Sequence, residues 1–323
     1  MPQTSIRLLV TRRLPQAVLD RAARDYTALL NEADTIYGPD ELIRRCQDAD
    51  AALIALTEKF TSEVIAKLPD RMRILSTFSV GTDHINLAAA RARGIQVGNA
   101  PHGVTIATAE IAMLLILGCA RRAPEGQRLI AGGKWTGWAP TFMLGQRLDG
   151  KKLGILGLGK IGQALARRAR GFDMEIHYHS RRRRPSGEEK GAIFHDNLQS
   201  LYSVSDFLSL NAPSTLETKH ILRNETIAWL RPGASVINTA RGDLVRDADL
   251  IAALQDGRVA YAGLDVFEGE PALNPGYLAL PNVMLLPHMG SSTIEARNQM
   301  GFEALDNIDA FFAGRPLPFA VAR

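Results

Sequence analysis

Short apolar runs alternate with amphipathic stretches through the first hundred residues of the chain. Apolar runs at 6–10, 51–56, 73–78 and 95–97 predict strands, and helical spacing at 15–24, 40–47, 62–68 and 86–93 predicts the helices between them. Gly94 is a natural stop for the last of these helices. Residues 105–122 then read as one long, mainly apolar helix, and 132–150, rich in Gly, Trp and Pro, as an ordered loop. A second series of strands follows at 153–156, 175–179, 207–210, 235–238, 261–265 and 283–286, and 291–312 reads as a final long helix. Continuous apolar strands separated by helices imply parallel sheets with both faces covered.

The expected fold is therefore α/β, with two Rossmann-like parallel-sheet domains. About 150 residues precede the second series, and a single long helix follows its last strand. The second domain is thus expected to be inserted into a flavodoxin-like first one. The expected boundaries are 1–100 for the first part of the outer domain, 101–287 for the inserted domain, and 288–323 for the returning helix that completes the outer one. An active site is then expected in the cleft between the two.

Composition narrows the class. The chain has 323 residues, 46% hydrophobic and 22% charged, ordinary values for a globular enzyme. The net charge of +4 owes much to one run, Arg181–Arg184, rather than to a basic face with interleaved aromatics, so no nucleic-acid partner is expected. Two distant cysteines, Cys46 and Cys119, do not make a disulfide framework and read as reduced structural thiols. The N-terminal apolar run is too short for a signal peptide, and the 13-residue stretch 106–118, which contains Glu110, is too short to span a bilayer. A cytoplasmic protein with no membrane partner is the expectation.

The strand at 153–156 runs into Gly157-Leu158-Gly159-Lys160-Ile161-Gly162 and a helix. Glycine has no Cβ, so Gly157 can turn tightly, Gly159 can let a pyrophosphate approach the backbone, and Gly162 can let the helix pack on the sheet. The helix N-terminus would then aim amide N–H groups at the phosphates. In this context the motif implies a bound dinucleotide. A carboxylate for the ribose would stand after the next strand, yet Ser180, Arg181 and Arg182 stand there. Ser180 can hydrogen-bond a 2′-phosphate and the two guanidinium forks can neutralise it, which favours NADPH and leaves NADH as the less favoured cofactor. Arg183 and Arg184 read as a solvated turn. His177 and His179 could share a strand face, but neither has a carboxylate partner in the motif, so no metal is expected there.

Three segments stand at strand C-termini of the second series: 238–242, 265–271 and 287–291. That edge is where open α/β sheets bind ligands. The segments supply a cation, a carboxylate and an imidazole, namely Arg241, Glu270 and His288. Reduction of a 2-keto acid needs an anchor for the carboxylate, a polariser for the carbonyl, and a proton donor. Arg241 can serve as the first two, His288 as the third, and Glu270 can hold the imidazole. Each alone has a duller reading as a surface pair or a carbonyl cap.

Several segments in order resemble the D-isomer-specific 2-hydroxyacid dehydrogenases, in particular their glyoxylate/hydroxypyruvate reductases and D-glycerate dehydrogenases. They are VGTDHINLAAARARGI (80–95), ATAEIAMLLILGCAR (107–121), LGILGLGKIGQALARR (153–168), INTARGDLV (237–245), AGLDVFEGEP (262–271) and LLPHMGSST (285–293). The resemblance implies reduction of glyoxylate and hydroxypyruvate to glycolate and D-glycerate, with Arg241, Glu270 and His288 catalytic. It implies substrate contacts at Val80, Gly81, Arg241 and His288. It places cofactor contacts at Thr108, Lys160, Ile161 and Gly290, with Thr239, Ala240 and Asp265 nearer the nicotinamide. It also implies a homodimer through 104–145, with Trp138 or Phe142 either reaching the partner's site or packing in the interface. Phosphoglycerate dehydrogenases and nucleotide-sensing binding proteins of the same fold remain alternatives. Formate dehydrogenases pair their histidine with Gln, whereas Glu270 stands here.

Overall fold

The computed structural model describes residues 6–321, and these fall into two compact units. The first contains the described residues up to Val104 and those from Ser291 onward, and the second is Thr105–Gly290. In the first unit the described residues form five parallel strands: β1 (Arg7–Val10), β2 (Thr27–Leu30), β3 (Ala51–Ile54), β4 (Ile74–Thr77) and β5 (Gln96–Gly98). Their order is β2-β1-β3-β4-β5, the flavodoxin-like doubly wound order.

Every residue of β3 and β4 is buried, which is why these strands read as unbroken apolar or small-residue runs. β2 is absent from the sequence expectation. It lies at the sheet edge, with Thr27 exposed and the next three residues half-buried, so it carries no strong periodic signal. The last long helix, Ile294–Phe312, is capped by Thr293, whose hydroxyl accepts from Ala296 N at 3.1 Å. It docks on β4 through polar contacts as well as apolar ones. Ser76 Oγ donates to Ala304 O at 2.8 Å, and buried Asn307 donates to Asn99 O at 3.0 Å and accepts from Phe319 N at 3.0 Å.

The second unit carries a parallel sheet of seven strands among the described residues: β6 (Lys152–Leu156), β7 (Glu175–His179), β8 (Ile193–Phe194), β9 (Phe207–Leu210), β10 (Ala234–Asn238), β11 (Val259–Leu264) and β12 (Val283–Leu285). Six were expected. The additional one, β8, is a two-residue edge strand, too short for a pattern. The order β12-β11-β10-β9-β6-β7-β8 is a Rossmann sheet with its topological switch between β6 and β9.

Helix Val104–Ala120 is apolar nearly all round because one side buries Ala112, Leu115, Ile116 and Cys119 in a core shared with Ile155, Phe207 and Ile237. Gly263 of β11 permits that approach, since a Cβ there would lie 2.8 Å from Leu115 Cβ. A shorter helix, Ala123–Ala131, follows a left-handed residue at Arg122 and was not expected; Pro124 sits in its first turn. Residues 132–151 carry turns and no helix or strand. No single helix among the described residues is long and apolar enough to cross a membrane.

Candidate active site

The glycine-rich turn leaves β6 beside the switch point. Gly157 has φ +98°, a region open to glycine, and its N–H donates to His179 O at 2.8 Å. A Cβ on Gly157 would sit 2.9 Å from the Asn211 carbonyl after β9, so the two crevice walls touch at backbone level. Gly162 abuts the Gly157 carbonyl and lies close to Ile155, which seats helix Lys160–Arg170 on the sheet. Gly159 is the N-cap of that helix, with open space around it and no capping side chain. Lys160 is exposed and Ile161 half-buried at the helix start.

Ser180 Oγ accepts from Leu158 N at 3.0 Å, so this side chain also braces the turn and keeps its hydroxyl proton for another acceptor. Arg181 and Arg182 are exposed, with no hydrogen bond or ion pair shown to a described residue. Arg183 and Arg184 differ from the solvated turn expected of them. Arg183 pairs with Glu189 at 2.9 Å and lies over the Phe194 ring, and Arg184 faces Glu188 at 3.8 Å while its N–H donates to Tyr178 Oη. His177, expected to lack an acid, meets Glu175 at 2.6 Å and His195 at 2.8 Å, because strand neighbours two apart point to the same face. No group of three or more metal-binding side chains forms among the described residues.

Near the ends of β10, β11 and β12, the second constellation converges. Asp265 is buried, and its carboxyl pKa is raised by that burial, against the opposing pull of the Met289 N–H, His288 and the Gly290 N–H. Thr108 Oγ1 donates to Gly290 O at 3.2 Å, and a Cβ on Gly290 would meet both Asp265 Oδ2 and Thr108 Oγ1. Thr239 follows β10, and its buried hydroxyl has no hydrogen-bond partner among the described residues; Asn211 Oδ1 is orphaned likewise. Asn238 clamps the next turn, accepting from Ala240 N at 3.0 Å and donating to Arg241 O at 2.9 Å.

His288 Nδ1 and Glu270 Oε2 are 2.7 Å apart, and Glu270 Oε1 accepts from Phe267 N at 2.7 Å. A carboxylate at Nδ1 holds the proton on that nitrogen and leaves Nε2 for chemistry. Burial raises the Glu270 carboxyl, but His288, the Phe267 N–H and the Arg241 charge outweigh it, and the net direction is down. Arg241 thus lies within electrostatic reach of Glu270. His288 itself has φ +53°, a left-handed backbone uncommon for a residue with a Cβ. Val80 and Gly81 belong to the first unit, just beyond β4, where Val80 O accepts from Asn99 Nδ2 and Gly81 O from Ser79 Oγ.

These residues fit a dinucleotide. The glycine turn leaves room at the helix N-terminus, and the orphaned Thr239 and Asn211 atoms lie at strand ends where a ligand could satisfy them. Asn211 and Gly242 were not anticipated. A Cβ on Gly242 would collide with the Phe267–Glu268 backbone, so the Arg241 segment packs directly on the loop that carries Glu270.

Known proteins similar to this chain share one family. The model for the NAD binding domain of D-isomer specific 2-hydroxyacid dehydrogenases matches residues 113–290. The chain is 52% identical over 318 residues to a glycerate dehydrogenase of Hyphomicrobium methylovorum, covering 98% of this chain and 99% of that one. It is 39% identical to a glyoxylate reductase of Thermococcus litoralis, over 97% of this chain and 95% of the other. Among solved structures, an NADPH-dependent glyoxylate/hydroxypyruvate reductase of Sinorhizobium meliloti, in complex with NADP and malonate, superposes with a TM-score of 0.87. It is 32% identical, with 98% of this chain and 97% of that one covered.

Proposed function

The chain belongs to the D-isomer specific 2-hydroxyacid dehydrogenase family, and from that premise we propose that it reduces small 2-keto acids, with glyoxylate and hydroxypyruvate as substrates and NADPH preferred over NADH. The observation that carries this reading is the 2.7 Å His288–Glu270 bond at the sheet edge, with Arg241 within electrostatic reach of Glu270. When bound, the reduced nicotinamide supplies a hydride to the carbonyl carbon. His288 Nε2 gives the carbonyl oxygen its proton, so the C=O becomes a secondary or primary alcohol with charge balanced. Glu270 orients the ring and offsets its charge while it is protonated. Arg241 offers a planar fork to the substrate carboxylate and its positive charge to the carbonyl oxygen. The buried Asp265, with Thr108 and Gly290, would line the nicotinamide end of a bound dinucleotide, while Gly157, Gly159, Lys160, Ile161 and Gly162 would receive its pyrophosphate.

The preference for NADPH rests on position. Arg181 and Arg182 are exposed beside a serine at the end of β7, and none of residues 180–182 is an acid that would repel a 2′-phosphate. The relative from S. meliloti is named as NADPH-dependent, which supports the same reading. A homodimer through 104–145 is also part of the proposal, since this segment exposes Ile106, Leu114, Ile130, Trp135, Trp138, Phe142 and Leu144.

Steady-state rates with glyoxylate, hydroxypyruvate and pyruvate, each with NADPH and with NADH, test both parts. Turnover of the first two with NADPH is expected. No turnover with any pair would remove the catalytic reading, and equal efficiency with both cofactors would remove the phosphate pocket.

A further inference from the structure

Another histidine–glutamate pair holds the loop that carries Glu270. His220 Nε2 and Glu268 Oε1 are 2.6 Å apart, although 48 residues separate them in the chain. Glu268 lies in the same loop as Glu270, but its carboxylate is turned to His220 rather than to His288. His220 precedes the short helix Asn224–Ile227 in the crossover between β9 and β10, and its backbone is left-handed, φ +50°. A residue with a Cβ is held in that region only where its surroundings demand it.

The surroundings of His220 point at two catalytic segments. Its N–H donates to Asp243 O at 2.8 Å, two residues beyond Arg241. Its ring holds Glu268, whose neighbour Phe267 donates the N–H that fixes Glu270 Oε1. The segment after Arg241 is braced again where Ser214 Oγ donates to Asp243 Oδ2 at 2.5 Å and where Leu222 N donates to Leu244 O. The His220 carbonyl in turn accepts from Arg223 Nη1 at 3.1 Å. The bare Cα of Gly242 lets these two segments lie backbone to backbone, so their separation is set by contact and held by His220.

Resting on the reading of Arg241, Glu270 and His288 given above, we propose that His220 is a positioning residue: it ties the Arg241 segment to the Glu270 loop through Asp243 and Glu268, and thereby fixes the orientation of His288. It touches neither substrate nor cofactor in this scheme. Its effect passes along Glu268, Phe267 and Glu270 to the His288 ring. A displacement of about 1 Å in such a support can cost on the order of 10²-fold in rate.

The experiment compares the full chain with His220→Ala, His220→Gln, Glu268→Ala and the double alanine variant. Two readouts are used: kcat and KM with glyoxylate and NADPH, and the ¹⁵N shifts of the His288 ring without substrate, assigned by their loss in His288→Ala. Expected for His220→Ala is a fall in kcat of roughly tenfold or more, with KM for the cofactor changed less than about twofold. The His288 ring should move from the Nδ1–H tautomer toward a mixture. His220→Gln, which keeps an N–H donor toward Glu268, should recover most of both signals. The double variant should be no worse than the worse single one, because the two residues act as a unit. Parental kcat and parental His288 shifts in His220→Ala would overturn the proposal, as would independent, multiplying losses from the two sites. Should His220→Ala fail to fold, Glu268→Gln, which keeps the shape of the acid, takes its place with the same criteria at reduced amplitude. The nitrogen shifts need no turnover, so they decide the matter even if the parent reduces none of the keto acids, an outcome that would count against the catalytic reading alone.

Discussion

His288 carries two marks that belong together: a left-handed backbone and a carboxylate on its inner nitrogen. With that backbone, a rate lost in an alanine variant could also reflect a shifted turn, the effect that the glutamine variant controls for at His220. Asparagine tolerates the left-handed region better than most residues with a Cβ. His288→Asn should therefore fold as the parent does, yet lose roughly 10²–10⁴-fold in kcat, the usual contribution of a general acid. A rate within a few-fold of the parent would place the proton donor elsewhere. Glu270 gives a second residue-level test, through its titration. Its carboxyl pKa is held below the ordinary value by His288, the Phe267 N–H and Arg241, against the opposing effect of burial. A group depressed in this way contributes stability above its unfolded pKa, and that contribution is lost as pH falls through the folded value. Urea midpoints for Glu270→Gln and the parent should then differ most above about pH 4.5 and converge at lower pH. A difference that stays constant down to acid pH would show that the ion pair contributes nothing to folding.

At the scale of elements, the proposed cofactor preference rests on the exposed end of β7. Removing both free forks in Arg181→Ala/Arg182→Ala should lower kcat/KM with NADPH by roughly a hundred- to ten-thousandfold, since charge-assisted hydrogen bonds contribute about 1.5–3 kcal/mol each and about 1.4 kcal/mol is tenfold. The value with NADH should stay within a few-fold. Equal losses with both cofactors would mean that the arginines shape the turn rather than bind a phosphate. In the first unit, Asn307 ties the final helix to β4 and to the chain around Phe319 while fully buried. Asn307→Ala should cost about 2–4 kcal/mol in chemical denaturation, because its partners are left unpaired away from water. Much at this scale was legible in the sequence, for a physical reason. Strands such as β3, β4 and β10 are buried at every position, and burial on both faces leaves a continuous apolar or small-residue run. The edges β2 and β8 leave residues in solvent and so leave no such trace. Gly157 and Gly162 were readable because the backbone conformation or close packing at each excludes a side chain. His220 and Glu268 were not, since a pair of partners 48 residues apart has no local pattern, and neither did the spacing reveal that Ser180 would brace Leu158.

For the molecule as a whole, the distribution of exposed apolar side chains is uneven. Helices Val104–Ala120 and Ala123–Ala131 and the stretch 132–145 together expose Ile106, Leu114, Ile130, Trp135, Trp138, Phe142 and Leu144, with Trp138 at 81% relative exposure. Single exposed apolar residues are common, but a run of this kind within one segment is what the proposed homodimer would cover. The stretch 132–145 has no helix or strand of its own and buries none of its residues. A second copy would supply the missing packing, and a stable interface of that kind buries about 1,200–2,000 Å² or more. Sedimentation equilibrium at micromolar concentration is expected to give twice the chain mass. Leu114→Glu/Ile130→Glu should shift it toward the monomer, because each carboxylate would have to be desolvated in the interface. Trp138→Ala separates two roles for the loop. If Trp138 packs between copies, the variant weakens the dimer; if it reaches the partner's substrate site, the dimer persists and KM for the keto acid rises while KM for NADPH does not. A parent chain that sediments as a monomer over the whole concentration range would remove both roles at once.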